Sequence, residues 1–69
     1  MKKEILITGM TCGHCVKRVE NALLEIDGVH SVVVSLQEKR ATIEADDKIE
    51  DQLLKDAIED VGYTVEAIQ

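Results

Sequence analysis

Sixty-nine residues allow one small domain with a modest core, and residues 1–69 are read as a single unit with no linker. Fourteen acidic residues against eight basic ones leave a formal net charge of −6, which phosphate backbones would repel, so nucleic acid is excluded as a partner. No apolar run approaches the roughly 20 residues of a membrane span, Met1-Lys2-Lys3 opens without a signal-peptide apolar region, and two cysteines are too few to staple a secreted mini-protein. A soluble cytoplasmic chain without direct membrane insertion is expected.

In chain order, Ile5 and Ile7 alternate with Leu6 and Thr8, which predicts a strand over Glu4 to Thr8. After a cysteine-containing loop the period becomes helical, with Val16, Val19, Leu23 and Ile26 on one face. Asp27-Gly28 is read as the stop of this helix. Val32, Val34 and Leu36 alternate with Ser31, Val33 and Ser35 as a second strand. A polar turn without glycine follows at Gln37 to Lys39, and Ala41, Ile43 and Ala45 mark a third strand.

Asp46 or Asp47 is positioned to cap a second helix, with Ile49, Leu53, Ala57 and Val61 on its core face and Leu54 and Ile58 widening it. Gly62 stops that helix, and Tyr63, Val65 and Ala67 suggest a short last strand. Strand-helix-strand occurs twice. This is the α+β, ferredoxin-like βαββαβ order, a four-stranded antiparallel sheet with two helices on one face. The open face would carry Leu6 and Val33, either as an association surface or as scattered apolar residues.

Chemistry concentrates in Gly9-Met10-Thr11-Cys12-Gly13-His14-Cys15, which holds both cysteines of the chain. The loop leads into the first helix, whose N–H groups and positive dipole end favour thiolate over thiol. Four readings compete. A structural zinc site needs four ligands, and only His14 in the loop and the distant His30 could add to the pair. A thioredoxin-like redox pair normally accompanies a longer fold with a cis-proline, and this chain has no proline. Inert cysteines are usually buried, whereas Gly9, Thr11 and Gly13 mark an exposed loop. Two-coordinate binding of a soft monovalent ion such as Cu(I) needs only two thiolates and leaves room for an incoming third.

The neighbours divide between bland and functional roles. Met10 is a thioether ligand or a core side chain beneath the loop. His14 is a third ligand, a proton-sensitive neighbour, or simply solvent-facing. Tyr63 is a core plug with its hydroxyl at the surface. His30 carries no motif and is placed at a strand end. Seven acids against two bases between Asp46 and Asp60 read as a solvated acidic helix. Lys17 and Arg18 make the cysteine end locally positive, a feature suited to an acidic partner and to salt-weakened docking.

Met10-Thr11-Cys12-Gly13-His14-Cys15 resembles the Met-x-Cys-x-x-Cys signature of heavy-metal-associated domains. The likeness extends through Gly9, through Val16, Val19 and Glu20, through Asp27-Gly28-Val29 and to Gly62-Tyr63, over essentially the whole chain. It implies the βαββαβ fold, a Cu(I) site at Cys12 and Cys15, and delivery to a heavy-metal-transporting P-type ATPase. Other implied roles are an N-terminal module of such an ATPase, or a carrier of Hg, Zn or Cd. Resemblance to the free-standing bacterial copper chaperones of the family puts Met10 beneath the loop and Tyr63 beside the metal, where eukaryotic relatives usually carry Lys. It also links His14 to a metal-linked dimer and admits a copper-sensing repressor as a second recipient. A carrier rather than an enzyme is expected.

Overall fold

A computed structural model describes residues 1–69. Strand β1 (Lys2–Thr8) leads through the cysteine loop to helix α1 (Gly13–Leu24), then β2 (Val29–Ser35), β3 (Arg40–Ala45), helix α2 (Asp51–Asp60) and β4 (Thr64–Ile68). The strands form one antiparallel sheet in the order β2-β3-β1-β4. Helix α1 packs on β2, α2 on β4, and the helices on each other, so both cover the same face. The fold is the expected ferredoxin-like βαββαβ sandwich.

Alternation explains which side chains enter the core. Ile5 and Ile7 of β1 and Ala41, Ile43 and Ala45 of β3 point under the helices, and Val19, Leu23, Leu54 and Ile58 come down to meet them. Ile5, Val19, Leu23, Ile43, Leu54 and Ile58 have no measurable exposure. Each such aliphatic side chain contributes about 1.5–3 kcal/mol by leaving water. On the open face Leu6 is half-buried, while Val33 is 69% exposed.

Element boundaries differ from the sequence reading at several points. Helix α1 starts at Gly13, inside the cysteine motif, because the extended Cys12 presents its carbonyl to the N–H groups of Cys15 (3.0 Å) and Val16 (3.4 Å). It ends at Leu24, and Gly28 belongs to a separate turn closed by Val29 N–H on the Ile26 carbonyl at 3.1 Å. Strand β2 already begins at Val29, with a bulge at His30, and Leu36 lies in the following turn. That turn manages without glycine by placing Lys39 at φ +56° and by Glu38 N–H donating to Ser35 Oγ at 3.2 Å.

Neither Asp46 nor Asp47 caps α2. Its N-cap is Glu50, with no side-chain capping bond, while Asp46 Oδ1 lies 2.7 Å from His30 Nε2. Leu53 is 50% exposed, so the buried face runs through Leu54 and Ile58. Gly62, at φ +100°, does end α2 as read. Its N–H reaches the Glu59 carbonyl at 3.0 Å and Tyr63 N–H reaches Ile58 at 3.3 Å, the paired bonds of a Schellman cap.

Candidate metal centre

The sheet and the two helices bring three chain segments together at one end of the molecule. Strand β1 delivers Gly9 and Met10, the first turn of α1 delivers Cys15, and the cap of α2 delivers Tyr63. Met10 is 6% exposed and joins the core, so it supports the loop from beneath. A Cβ built on Gly9 would lie 3.4 Å from Tyr63 Cδ1, which places the phenol ring directly against the loop.

Cys12 is exposed and Cys15 half-exposed, both as free thiols, with their sulfurs 3.9 Å apart. Thr11 Oγ1 lies 3.8 Å from Cys15 Sγ. The Cys-x-x-Cys spacing produces this proximity because the first cysteine is the N-cap and the second lies in the first turn. The N–H groups of Gly13 and His14, ahead of the bonds that Cys15 and Val16 make to the Cys12 carbonyl, have no helical carbonyl to donate to.

Cys15 is held down to about 6 from an ordinary value of 9.0. The largest cause is the Thr11 backbone N–H donating to its sulfur, followed by the Tyr63 hydroxyl and then the Cys12 N–H. Partial burial pushes the other way and loses. The same contact raises Tyr63, since the thiolate accepts its proton in a hydrogen bond, then through desolvation and the thiolate's charge, while Arg18 pulls it back down. Near neutral pH the site therefore already carries a thiolate.

Of the residues singled out in the sequence, Met10, Thr11, Cys12, Cys15 and Tyr63 converge. Gly13 and His14 are exposed in the first turn of α1, and no His, Asp or Glu completes a group of three donors around the sulfurs. Lys17 and Arg18 are exposed one turn further on. His30 is on the first residues of β2, paired with Asp46 and outside this cluster. Sequence reasoning did not identify Cys15 as the activated member of the pair, nor Arg18 as a neighbour of Tyr63. The first had no side-chain signal, since its largest cause is the Thr11 main-chain N–H.

The chain is 49% identical over 67 residues to the copper chaperone CopZ of Staphylococcus aureus (strain bovine RF122 / ET3-1), covering 94% of this chain and 98% of that one. A solved CopZ metallochaperone superposes with a TM-score of 0.90 at 44% identity, covering 94% and 98%. A copper-binding domain from the P-type ATPase HMA7 superposes at 0.87 with 34% identity, covering 100% and 99%. Residues 4–64 match the model of the heavy-metal-associated domain, a span that includes the cysteine loop and all 11 buried core residues. By fold, by core and by this match, the chain belongs to the heavy-metal-associated domain family.

Proposed function

We propose that the protein is a copper chaperone that carries Cu(I) as cargo between Cys12 and Cys15 and passes it by thiolate exchange to the cysteine pair of a heavy-metal-transporting P-type ATPase. The observation that carries this reading is the exposed pair of sulfurs 3.9 Å apart at a helix N-terminus. Metal–thiolate bonds of about 2.3 Å allow one ion to bridge them. The 49% identity to a copper chaperone supports copper as the ion.

A two-coordinate ion suits delivery. An incoming thiolate forms a third S–Cu bond, one donor S–Cu bond then breaks, and repetition moves the ion without releasing it to water. Cys15 enters the exchange as a thiolate near neutral pH, so it releases a proton on loading only where pH lies below about 6, while any proton held by Cys12 leaves as that sulfur binds. Free thiols require a reducing compartment, which fits the cytoplasm. Nothing in this sequence of ligand exchanges is a catalysed turnover, so the protein is a carrier rather than an enzyme.

Anaerobic titration against a strong Cu(I) chelator tests the reading. One Cu(I) per chain is expected. Cys12→Ser or Cys15→Ser should weaken binding by more than the roughly 10–100-fold that loss of an outer-shell partner costs. Wild-type affinity in either variant would overturn it.

The same chemistry would serve a metal-binding module of a P-type ATPase, and the likeness to HMA7 supports that as a second reading. The two readings part on the full-length gene product. A chain that ends with this domain is a chaperone, and one that continues into membrane helices is a module.

A further inference from the structure

Strand β2 is the less defended of the two edges of the sheet. It lies outermost in the order β2-β3-β1-β4, and it alone among the strands carries no Asp, Glu, Lys or Arg. It sits within a run of ten residues without such a charge, Gly28 to Gln37, in a chain that is 32% charged. No backbone bond outside the sheet ladders involves residues 31–35, so the N–H and C=O groups that point away from β3 are unpaired. The bulge at His30 disturbs only the start of the strand. The opposite edge, β4, is five residues long, carries Glu66 and is broken by a bulge, all of which discourage pairing with another chain.

Exposed apolar side chains gather along the same edge. Of the five large hydrophobic residues that are exposed, Leu24, Val33 and Leu36 border β2 or belong to it. Val32 and Val34 pack against the core, so Val33 stands on the open face, 69% exposed. Leu36 directly follows the strand, and Leu24 is the last residue of α1, the helix packed on it. Around that helix Arg18 lies beside Tyr63 on the α2 side and Val19 and Leu23 enter the core. Leu24 comes about 100° further round, on the flank away from α2 and over the β2 edge.

The sequence of the strand says what fits it. Ser31-Val32-Val33-Val34-Ser35 reads the same in both directions. A second copy running antiparallel, with a two-fold axis at Val33, sets Val33 opposite Val33, Val32 opposite Val34 and Ser31 opposite Ser35. Every residue then meets its like on the same side of the sheet, as a self-complementary interface requires. Ser35 Oγ already accepts the Glu38 N–H at 3.2 Å, which leaves its hydroxyl proton for Ser31 of the second copy. Leu24 and Leu36 stand at the two ends of the edge, so reversal of the partner brings each towards the other's counterpart.

We propose that β2 is a self-association edge, through which two copies of this chain pair antiparallel and join their four-stranded sheets into one. Reversal of the partner sends the two cysteine loops to opposite ends, where both stay open. The dimer therefore needs neither metal nor thiols and is independent of the carrier reading. Association stops at two, because each chain offers one such edge. A single strand pair with its flanking side chains falls below about 1,200 Å², the class of weak and transient interfaces. Two copies at −6 each repel, so added salt strengthens the pairing.

Sedimentation of the whole chain, reduced and metal-free, tests this. The mass should rise from 7.7 kDa towards twice that value as the chain is concentrated from about 10 μM to about 1 mM, and more fully in salt. Val33→Lys places like charges directly opposite each other and should weaken association at least tenfold. Cys12→Ser with Cys15→Ser should leave it unchanged. In that thiol-free background, Val33→Cys chains should be joined by a short bis-maleimide at least tenfold faster than Leu53→Cys chains, whose thiol is exposed on α2, away from the edge.

A wild type that stays monomeric at about 1 mM in high salt would overturn the proposal, as would growth beyond the dimer or a Val33→Lys variant that associates as before. Equal cross-linking of the Val33→Cys and Leu53→Cys chains would overturn the Val33 register. Loss of association with the two cysteines would assign it to the metal loop instead. None of these results touches Cu(I) binding, which the chelator titration reads separately.

Discussion

Cys15 shows how much of the site's behaviour is decided by backbone geometry. Its thiol falls to about 6 chiefly because the Thr11 N–H points at the sulfur, and a side-chain substitution leaves that donor in place. Tyr63 adds the second contribution. Tyr63→Phe, in a Cys12→Ser background where one thiol remains, should therefore raise the Cys15 midpoint while leaving it below the ordinary value of 9.0. Thiolate absorbance followed against pH reads this directly, and an unchanged midpoint would remove Tyr63 from the site. The same shift links to stability. Between about 6 and 9 the folded chain has released a proton that the unfolded chain still holds, so stability of the metal-free protein rises with pH across that window and is lost as pH falls through about 6. Urea midpoints should rise less steeply over this range in Cys15→Ser. The two cysteines were legible in the sequence because their spacing identifies them, and the place of Met10 beneath the loop because the family resemblance implies it. Which sulfur is activated was not, because the decisive donors are main-chain N–H groups with no signature of their own.

Element order was legible for a related reason: alternation in Ile5-Leu6-Ile7 or Ala41-Thr42-Ile43 survives any error in the ends. Boundaries were not, and α2 shows why. Ile49 is 8% exposed, but it is buried from a turn in which its N–H bonds Asp46, before the helix begins. Counting helical phase from Ile49 places Leu53 inward, whereas the helix that starts at Asp51 turns Leu54 and Ile58 inward. Of the two acids expected to cap it, Asp46 is engaged instead by His30. Similarly, α1 begins inside the cysteine motif because the Cys12 carbonyl starts its hydrogen-bond ladder, which no side-chain pattern records. The corrected phase makes a plain comparison. Leu54→Ala should cost about 2–5 kcal/mol, as a fully buried leucine does. Leu53→Ala should change stability by no more than about 0.5 kcal/mol. Denaturant midpoints at constant slope measure both, and equal costs would restore the phase counted from Ile49.

For the whole molecule, the antiparallel sheet runs the start of α1 and the cap of α2 to the same end, so one patch of surface collects two thiols and a phenol, and Glu59 and Asp60 stand at the negative end of the α2 dipole. A favourable charge near a helix end contributes about 0.3–1 kcal/mol at low ionic strength, and reversing an unfavourable one adds to that. Glu59→Lys with Asp60→Lys should thus stabilise the metal-free fold by about 1 kcal/mol, an upward Tm shift of about 4–8 °C for a chain this small. Those two substitutions alone also reduce the self-repulsion of a chain at −6, which would raise Tm without any dipole effect. Adding Lys17→Glu and Arg18→Glu to these two keeps the formal net charge at −6 and removes that ambiguity. If the dipoles are responsible, the Tm of this fourfold variant rises at low salt and the gain fades in concentrated salt. A fourfold variant with an unchanged Tm would mean that these charges cost the fold nothing.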